Sequence, residues 1–262
     1  GDITPSLEAL PLYPLIDRAG SGDFALWLVQ RFLGSGADAK DRWTLAVAGL
    51  LGDDRLVALL GRQIAAWAEG GRGKLAEYAV HALALLGSDA ALTLVDALAL
   101  RYRVKHKNIG AAAAEAFAAA AERAGVTAEA LGDRVIPWLG FTPGQPRRLQ
   151  AGGKTLEVRI GRDFKLHYTD AATRRKASLP GSVPADVKAE MRALAELLKE
   201  VVKGQLARLE VLMVRQYRWP AARWQELFLR HPVMVPFGVR LVWGSYRQGR
   251  LDGLFRALED GA

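Results

Sequence analysis

Residues 185–214 read ADVKAEMRALAELLKEVVKGQLARLEVLMV and form the most regular pattern in the chain. Apolar residues recur every three or four positions, which is the spacing of one face of an α-helix. Asp186 lies near the start, where a carboxylate favours the positive end of the helix dipole. The apolar stripe consists of Val187, Met191, Leu194, Leu198, Val201, Val202, Leu206, Leu209 and Met213. The stretch therefore predicts one long amphipathic helix.

The residues before this helix predict a β-hairpin. In KTLEVRIGRDFKLHYTD, residues 154–170, apolar and charged residues alternate on both sides of Gly161. This period of two is typical of strands with one apolar and one charged face. The expected apolar face carries Leu156, Val158, Ile160, Phe164, Leu166 and Tyr168, with Arg159 exposed.

The residues after the long helix predict a short helix and a second hairpin. AARWQELFLR, residues 221–230, has helical spacing, follows Pro220 and is ended by Pro232. VRLVWGSYR and LDGLFRALED predict two strands around Gln248-Gly249. We expect the last strand to be a sheet edge.

Two irregular segments flank the first hairpin. PWLGFTPGQPRRLQAGG, residues 137–153, is interrupted by prolines and glycines, so we expect no regular element in it. TRRKASLPGSVP, residues 173–184, is basic, contains two prolines and predicts a loop. The change of composition at Pro137 predicts a domain boundary, with domains at residues 1–140 and 141–262.

The first domain shows a repeated helical pattern. Apolar blocks end at Gly52, at Gly87, 35 residues later, and at Gly125, a further 38 residues on. The residues expected near the N-caps that follow are Asp53, Asp89 and Thr127. Such alternation of stop and start signals predicts a HEAT-like array of antiparallel helix pairs, with at least six helices and no strand.

A more degenerate helix pair is expected in residues 13–34, with its turn at Gly20 and Gly22 and with Asp23 as the cap of its second helix. Stacked helix pairs leave a concave face that binds extended partners. The alternative is that the array only supports the second domain. The fold class predicted is therefore mostly α, with helical repeats followed by a smaller α+β domain.

Composition excludes several classes of protein. The chain has no cysteine, which excludes disulfides, Cys-ligated zinc and thiol nucleophiles. It has no transmembrane pattern, and GDITPSLEAL lacks the basic and apolar blocks of a signal peptide. We expect a cytoplasmic protein without a membrane partner.

The net charge of +8 is unevenly distributed, with −2 in residues 1–140 and +10 in residues 141–262. Clusters of cations can neutralise phosphates, and nearby tyrosines can stack on bases. The candidate contacts for an anion or a nucleic acid are Arg101, Arg103, Lys105, Lys107, Arg147, Arg148, Arg174, Arg175 and Lys176. The alternative is a solvated basic surface, and lysine and arginine at a helix C-terminus are also favoured by the helix dipole.

Local motifs do not indicate catalysis. No histidine lies three or four positions from another histidine or within an HExxH motif, so no metal site is predicted. AEGGRGKLAEY, residues 68–78, lacks the Ser or Thr of a phosphate-binding P-loop and predicts a loop between repeats. Four aromatic residues are expected to form one cluster, which acts either as core or as an anchor for a partner: Trp219, Trp224, Phe228 and Trp243.

Three stretches together resemble a known bacterial family: residues 147–181, RWPAARWQELFLRHPVM at 218–234, and RLVWGSYRQGRLDGLFRALEDG at 240–261. They are similar to the family catalogued as domain of unknown function 4132, over about residues 130–262. The family includes proteins called molybdate metabolism regulators, and many members are encoded near MoxR-type AAA+ ATPases and von Willebrand A proteins. The resemblance implies preceding helical repeats but no catalytic residues and no molybdate site.

These observations favour a non-catalytic protein-interaction or scaffold module that needs no cofactor. Protein partners are expected, and the resemblance implies that an ATPase-linked assembly is among the candidates. A nucleic-acid-binding module that uses the basic half is the first alternative, and an uncharacterised enzyme is the second. The sequence leaves open the identity of the partner, the oligomeric state and whether the chain is a fragment.

Overall fold

The structure is a computed structural model that describes residue 8 and residues 10–151, 153–179 and 183–258. The chain divides into two compact units, one ending at Ile136 and the other beginning at Pro137. The first is helical and the second combines helices with antiparallel strands, so the predicted mostly α class with a smaller α+β part is confirmed. Within the described ranges no helix is long and apolar enough to cross a bilayer.

The first unit contains seven α-helices in its described part. They are α1 (Arg18–Gly34), α2 (Trp43–Leu51), α3 (Arg55–Glu69), α4 (Gly73–Leu86), α5 (Asp89–Arg101), α6 (Lys107–Arg123) and α7 (Ala128–Arg134). Short 3₁₀ segments lie at Leu10–Leu15 and Ala39–Asp41. No strand occurs among the described residues before Pro137, as the repeat pattern predicted.

Helix α4 is the centre of this unit because it packs against both α2 and α6. Small buried residues, among them Ala79 of α4 and Ala113 of α6, allow the helices to approach closely. The helices come close at Gly49 of α2, where a Cβ atom would lie 2.5 Å from the carbonyl oxygen of Ala82 in α4. Glycine is therefore required at this point of the α2–α4 contact.

The helices that pair in the structure differ from those that the sequence pattern paired. The pattern paired the helices on either side of Gly52, whereas the structure packs α1 with α2, α3 with α4 and α5 with α6. Gly87 does end α4 in the left-handed conformation, with φ of 69°. Local stop signals thus located the helix ends, but the helices that pair are decided by which apolar faces meet.

One local prediction in this unit is wrong, whereas Asp53 and Asp89 lie directly beside N-caps, as expected. Residues 18–34 form the single helix α1, so Gly20, Gly22 and Asp23 do not make a turn between two helices. Helix α5 is capped by Ser88, whose hydroxyl accepts a hydrogen bond from the Ala91 amide, and Asp89 is its first residue. Asp53 accepts a hydrogen bond from the Arg55 amide but is followed by Asp54 at the N-cap of α3.

The second unit opens with a four-stranded antiparallel sheet in the order β1-β2-β3-β4. Its strands are β1 (Arg147–Ala151), β2 (Lys154–Ile160), β3 (Leu166–Asp170) and β4 (Lys176–Ala177). The predicted hairpin is the β2–β3 pair, with Ile160 opposite Leu166. Leu156 and Val158 are buried and Arg159 is exposed, as predicted, whereas Ile160 is only half-buried.

The two outer strands contradict the sequence prediction. Residues 147–151 were expected to be irregular, but β1 begins directly after Pro146, and residues 176–177 of the expected loop pair with β3. Phe164 lies in the turn at a φ of 58° instead of in a strand. Its ring contacts that of Phe237 at a centroid distance of 4.5 Å. Proline and glycine limit where a strand begins but do not prevent one between them.

Helix α8 (Ala185–Val214) confirms the predicted long helix. Its first half packs Met191 and Leu194 against the sheet residues Leu156 and Val158. In its second half the predicted stripe is partly wrong, because Leu206 and Met213 are exposed. The buried positions there are Gln205, Arg208, Leu209 and Leu212.

The remainder of the unit contains α9 (Ala221–Gln225), a π-helical turn at Glu226–Arg230, the short helix α10 (Val235–Gly238) and the strands β5 (Trp243–Arg247) and β6 (Arg250–Phe255). The π-turn and α10 were not predicted. The two strands form a separate antiparallel sheet whose turn is at Gln248 and Gly249, both with positive φ. The predicted terminal hairpin is therefore present, with shorter strands than expected.

The Gly49 contact leads to a prediction about stability. Gly49→Ala should lower the free energy of unfolding by about 1–3 kcal/mol, because the new methyl group must separate α2 from α4. In the matched control Gly73→Ala, at the start of α4, the new methyl group enters open space, so stability should be unchanged or slightly higher. Urea titrations followed by circular dichroism would measure both. Equal stability of the two variants would contradict the close α2–α4 contact.

Candidate functional site

The four aromatic residues singled out in the sequence lie together in the second unit. Phe228 is fully buried, and its ring is 4.5 Å from that of Trp243, 5.3 Å from Trp219 and 6.0 Å from Trp224. The three tryptophans are half-buried. Phe255 of β6 extends this cluster through a 5.2 Å contact with Trp224. The cluster therefore joins α9 and the π-turn to the β5–β6 hairpin.

A hydrogen bond and a glycine fix the hairpin on this aromatic cluster. The indole Nε1 of Trp243 donates to the carbonyl oxygen of Gly238 at 2.8 Å. Gly238 itself lies so close to Phe228 that a Cβ atom would collide with the Phe228 carbonyl oxygen. The end of α10 and the start of β5 are consequently held against the same buried ring.

The hairpin has an inward and an outward face. Trp243 pairs with Phe255, and both rings contact Trp224, so this face is turned toward the aromatic cluster. Gly244 pairs with Leu254, and Tyr246 pairs with Leu251 beyond a bulge in which Asp252 is the extra residue of β6. Because alternate residues of a strand point to opposite faces, these four residues occupy the outward face.

Three large side chains converge on this outward face. Atoms of Tyr246, Leu251 and Leu254 all lie within 4 Å of the point where a Cβ atom of Gly244 would be. Their exposed fractions are 49%, 55% and 69%, respectively. The Arg218 guanidinium lies 3.9 Å from the centroid of the Tyr246 ring. We call Tyr246, Leu251 and Leu254 the hairpin patch.

The basic residues of the second unit divide into paired and exposed groups. Arg147 forms an ion pair with Glu190, and Arg174 forms one with Glu157 at 3.1 Å. Glu157 is 7% exposed, which contradicts the prediction of a charged outer face at this position. Arg148, Arg175 and Lys176 are exposed.

The basic residues of the first unit lie between α5 and α6. Lys105 donates to both carboxylate oxygens of Glu69 at 2.7 Å, and the Arg101 guanidinium lies 5.7 Å from the Tyr102 ring. The hydrogen bond from Lys105, assisted by His106, lowers the pKa of the Glu69 carboxyl. Lys105 and Lys107 line an open cleft of about 430 Å³, whereas Arg101 and Arg103 are exposed beside it.

His167 and His231 have different surroundings. His167 is hydrogen-bonded to Asp163 at 2.8 Å across the β2–β3 turn. Partial burial raises the pKa of Asp163, but the hydrogen bonds from His167 and the Lys165 amide outweigh this effect and lower it overall. His231 is buried against Trp138 with ring centroids 4.3 Å apart. The described ranges contain no group of three His, Asp or Glu residues able to hold a metal ion.

Sequence analysis missed the hairpin patch. The pattern of residues 251–260 predicts a strand but does not indicate which residues face solvent. The signal for the hairpin patch was Gly244, which pairs with Leu254, because a glycine in a strand leaves room for neighbouring side chains. The bulge at Asp252, however, changes the register and cannot be predicted from the alternation alone.

The aromatic cluster leads to a graded stability prediction. Phe228→Ala should destabilise the protein by about 3–5 kcal/mol because the ring is fully buried. Trp224→Ala should cost less, roughly 2–3 kcal/mol, since its ring is only half-buried. Leu254→Ala on the outward face should change stability by less than about 0.5 kcal/mol. Thermal unfolding of the three variants would test this order, and an equally large effect of Leu254→Ala would show that the patch is part of the core.

Comparison with known proteins identifies relatives but no function. Residues 174–262 match the family described as Domain of unknown function (DUF4132). The chain is 30% identical over 230 residues to the uncharacterized protein YehI of Escherichia coli (strain K12). That similarity includes 85% of this chain but only 19% of the length of the relative. No solved structure matches the chain. The C-terminal part, from Arg174 onward, is thus similar to the DUF4132 family that the sequence motifs indicated.

Proposed function

We propose that this chain is a protein-interaction module whose partner binds the hairpin patch. The observation that carries the proposal is the convergence of Tyr246, Leu251 and Leu254 on one face of the β5–β6 hairpin, each about half exposed or more. Contiguous exposed apolar side chains are costly in water and are typical of binding surfaces. Aromatic residues with arginine neighbours are also typical anchors of protein interfaces.

The patch has a rigid support, which favours binding. An isolated two-stranded hairpin is marginally stable, but the inward face of this one is held by the contacts of Trp243 and Phe255 with Trp224. A surface that is ordered before binding loses less conformational entropy when the partner docks. The aromatic cluster therefore acts here as the support of the patch, and the partner contacts the opposite face.

Charged residues lie at the edge of the patch and at the adjoining turn. Arg218 stacks on Tyr246, and its Nη1 is 3.5 Å from the carbonyl oxygen of Gly249. Arg247 forms an ion pair with Asp252 at 3.6 Å, and Arg250 is exposed at the turn. A polar rim around an apolar centre is the usual composition of a protein interface.

For the first unit we propose a HEAT-like helical array that forms a separate domain. The central position of α4 between α2 and α6 and the pairing of α3 with α4 support this assignment, because stacked helix pairs define such arrays. Proteins of ATPase-linked assemblies, which the family resemblance implies, are our first candidates for the partner. We place the interaction in the cytoplasm.

The interaction proposal predicts a selective loss of binding. Leu251→Ser with Leu254→Ser should remove most of the apolar contact and abolish capture of the partner, whereas melting temperature should be nearly unchanged because both residues are exposed. The measurement is quantitative mass spectrometry of proteins captured from a lysate of the source bacterium by the full chain and by the variant. The affinity of the chain for each captured protein is then measured with that protein in purified form.

The matched control replaces two exposed leucines of α8. Leu197 and Leu206 are exposed to a similar extent, at 52% and 49%. Leu197→Ser with Leu206→Ser should retain every protein that the native chain captures. If the hairpin variant captures the same proteins as the native chain, the patch is not the binding surface.

The basic half supports nucleic-acid binding as a second candidate function, since Arg148, Arg175 and Lys176 are exposed. Arg174 is unsuitable for a charge reversal because it pairs with the buried Glu157. Arg175→Glu with Lys176→Glu should weaken binding to any duplex or single strand uniformly and reduce the salt slope by about 2. Fluorescence anisotropy at about 50 and 200 mM salt would measure this change.

The control for this experiment is Lys199→Glu with Lys203→Glu on α8, which makes the same change of charge elsewhere in the unit. It should affect binding less than the variant at residues 175 and 176. Absence of binding by the native chain at the lower salt concentration would eliminate the second candidate, since phosphate contacts are strongest there.

A further inference from the structure

Strand β6 has an outer edge that is open to solvent. It pairs with β5 on one side, and no backbone hydrogen bond joins its other side to another residue in the described part of the chain. Five of its six residues are exposed, and Gly253 is half-buried. The unpaired N–H and C=O groups of a sheet edge form a template for another strand. This edge is therefore accessible to an extended segment.

The outer edge of β5, in contrast, is flanked by the chain itself. Arg218 places its guanidinium 3.9 Å from the centroid of the Tyr246 ring, on the outward face. The next residue, Trp219, contacts Trp243 on the inward face, with ring centroids 6.0 Å apart. Because consecutive residues reach opposite faces of β5, their backbone lies beside this strand. Strand β6 thus has the more accessible edge of the hairpin.

The charge around the hairpin is positive. Residues 215–260 contain eight arginines, no lysine and four acidic residues, which gives a net charge of +4. Arg250 begins β6 and Arg256 follows its last residue, and both are exposed and form no ion pair with another described residue. A guanidinium can bind a carboxylate through two parallel hydrogen bonds. The two ends of the β6 edge therefore favour an acidic occupant.

Two other kinds of occupant fit this edge less well. If β6 paired antiparallel with β6 of a second copy, the start of one strand would lie beside the end of the other, and Arg250 would meet Arg256 twice. Like charges at such positions are destabilising. A nucleic acid would neutralise the arginines but would leave the exposed Leu251 and Leu254 without apolar contacts.

We propose, on the basis of the interaction function proposed above, that the partner of the hairpin patch is an acidic, extended peptide segment that adds to β6 as a third strand. Backbone hydrogen bonds to the β6 edge supply affinity, and alternate side chains of the segment, which point to one face, supply specificity. Its apolar side chains lie beside Leu251 and Leu254, and its carboxylates meet Arg250 and Arg256.

The positions of the two arginines define a peptide that serves as a probe. Arg250 and Arg256 are six residues apart, which corresponds to about 20 Å of extended strand. The peptide EEVTVTEE has acidic ends at a similar separation and two apolar residues on one face between them. The peptide KKVTVTKK keeps the apolar residues and reverses the charge.

Fluorescence anisotropy of labelled peptides with the full chain tests the proposal. EEVTVTEE should bind at least about tenfold more tightly than KKVTVTKK. EEVTVTEE with its four central amides N-methylated should bind at least about tenfold more weakly than the unmodified peptide, because it keeps the charges and side chains but loses backbone donors. Bound EEVTVTEE should also slow the hydrogen exchange of those β6 amides that point away from β5.

A charge reversal in the chain provides the complementary test. Arg250→Glu with Arg256→Glu should invert the preference, so that KKVTVTKK binds more tightly than EEVTVTEE. The control is Lys199→Glu with Lys203→Glu on α8, which makes the same change of net charge at two exposed positions. This control should retain the preference of the native chain for EEVTVTEE.

Three results would overturn strand addition: no binding of EEVTVTEE at about 1 mM, equal binding of its N-methylated form, or binding of an eight-nucleotide oligothymidylate at the two arginines in its place. The lysate capture with Leu251→Ser and Leu254→Ser then separates the two proposals. If this variant still loses the captured proteins, the interaction function stands with another class of partner. If it captures all of them, the interaction function fails as well.

Discussion

The contact between Phe228 and Trp243 is the interaction on which the position of the β5–β6 hairpin depends. Two strands cannot bury enough area to be stable alone, and the β5–β6 hairpin has one face in solvent. Its position is fixed by the buried Phe228 ring, 4.5 Å from Trp243, and by the hydrogen bond from Trp243 to Gly238. The π-turn at Glu226–Arg230 contains this phenylalanine. Without this anchor the hairpin patch would have no defined geometry.

The two units are stabilised by different kinds of packing. In the first, alanines and Gly49 let α4 lie close to its neighbours, so the helices pack through close contact of their backbones. In the second, large rings and the leucines and methionine of α8 fill the space between helices and strands. A small-to-large substitution is therefore the sensitive change in the first unit, and a large-to-small substitution is the sensitive change in the second.

Ion pairing reduces the number of cations that remain available to an external anion. Arg147, Arg174 and Lys105 each meet a carboxylate of their own unit. The pair of Arg174 with Glu157 is special, because Glu157 is buried and loses its compensation if the arginine is changed. The net charge of +10 in residues 141–262 already includes these carboxylates, so pairing changes which cations are available and leaves the net charge the same.

The sequence by itself determined the elements that depend on local periodicity. The long helix α8, the β2–β3 pair, the turn at Gln248-Gly249 and the helix stop at Gly87 follow from spacing and backbone preference, which act over a few residues. The tertiary structure alone decided the pairing of α1 with α2, the addition of β1 and β4 and the burial of Glu157. These features depend on which surfaces meet across long separations in the chain. The hairpin patch belongs to the second group, because the bulge at Asp252 and the aromatic cluster together decide which residues face solvent.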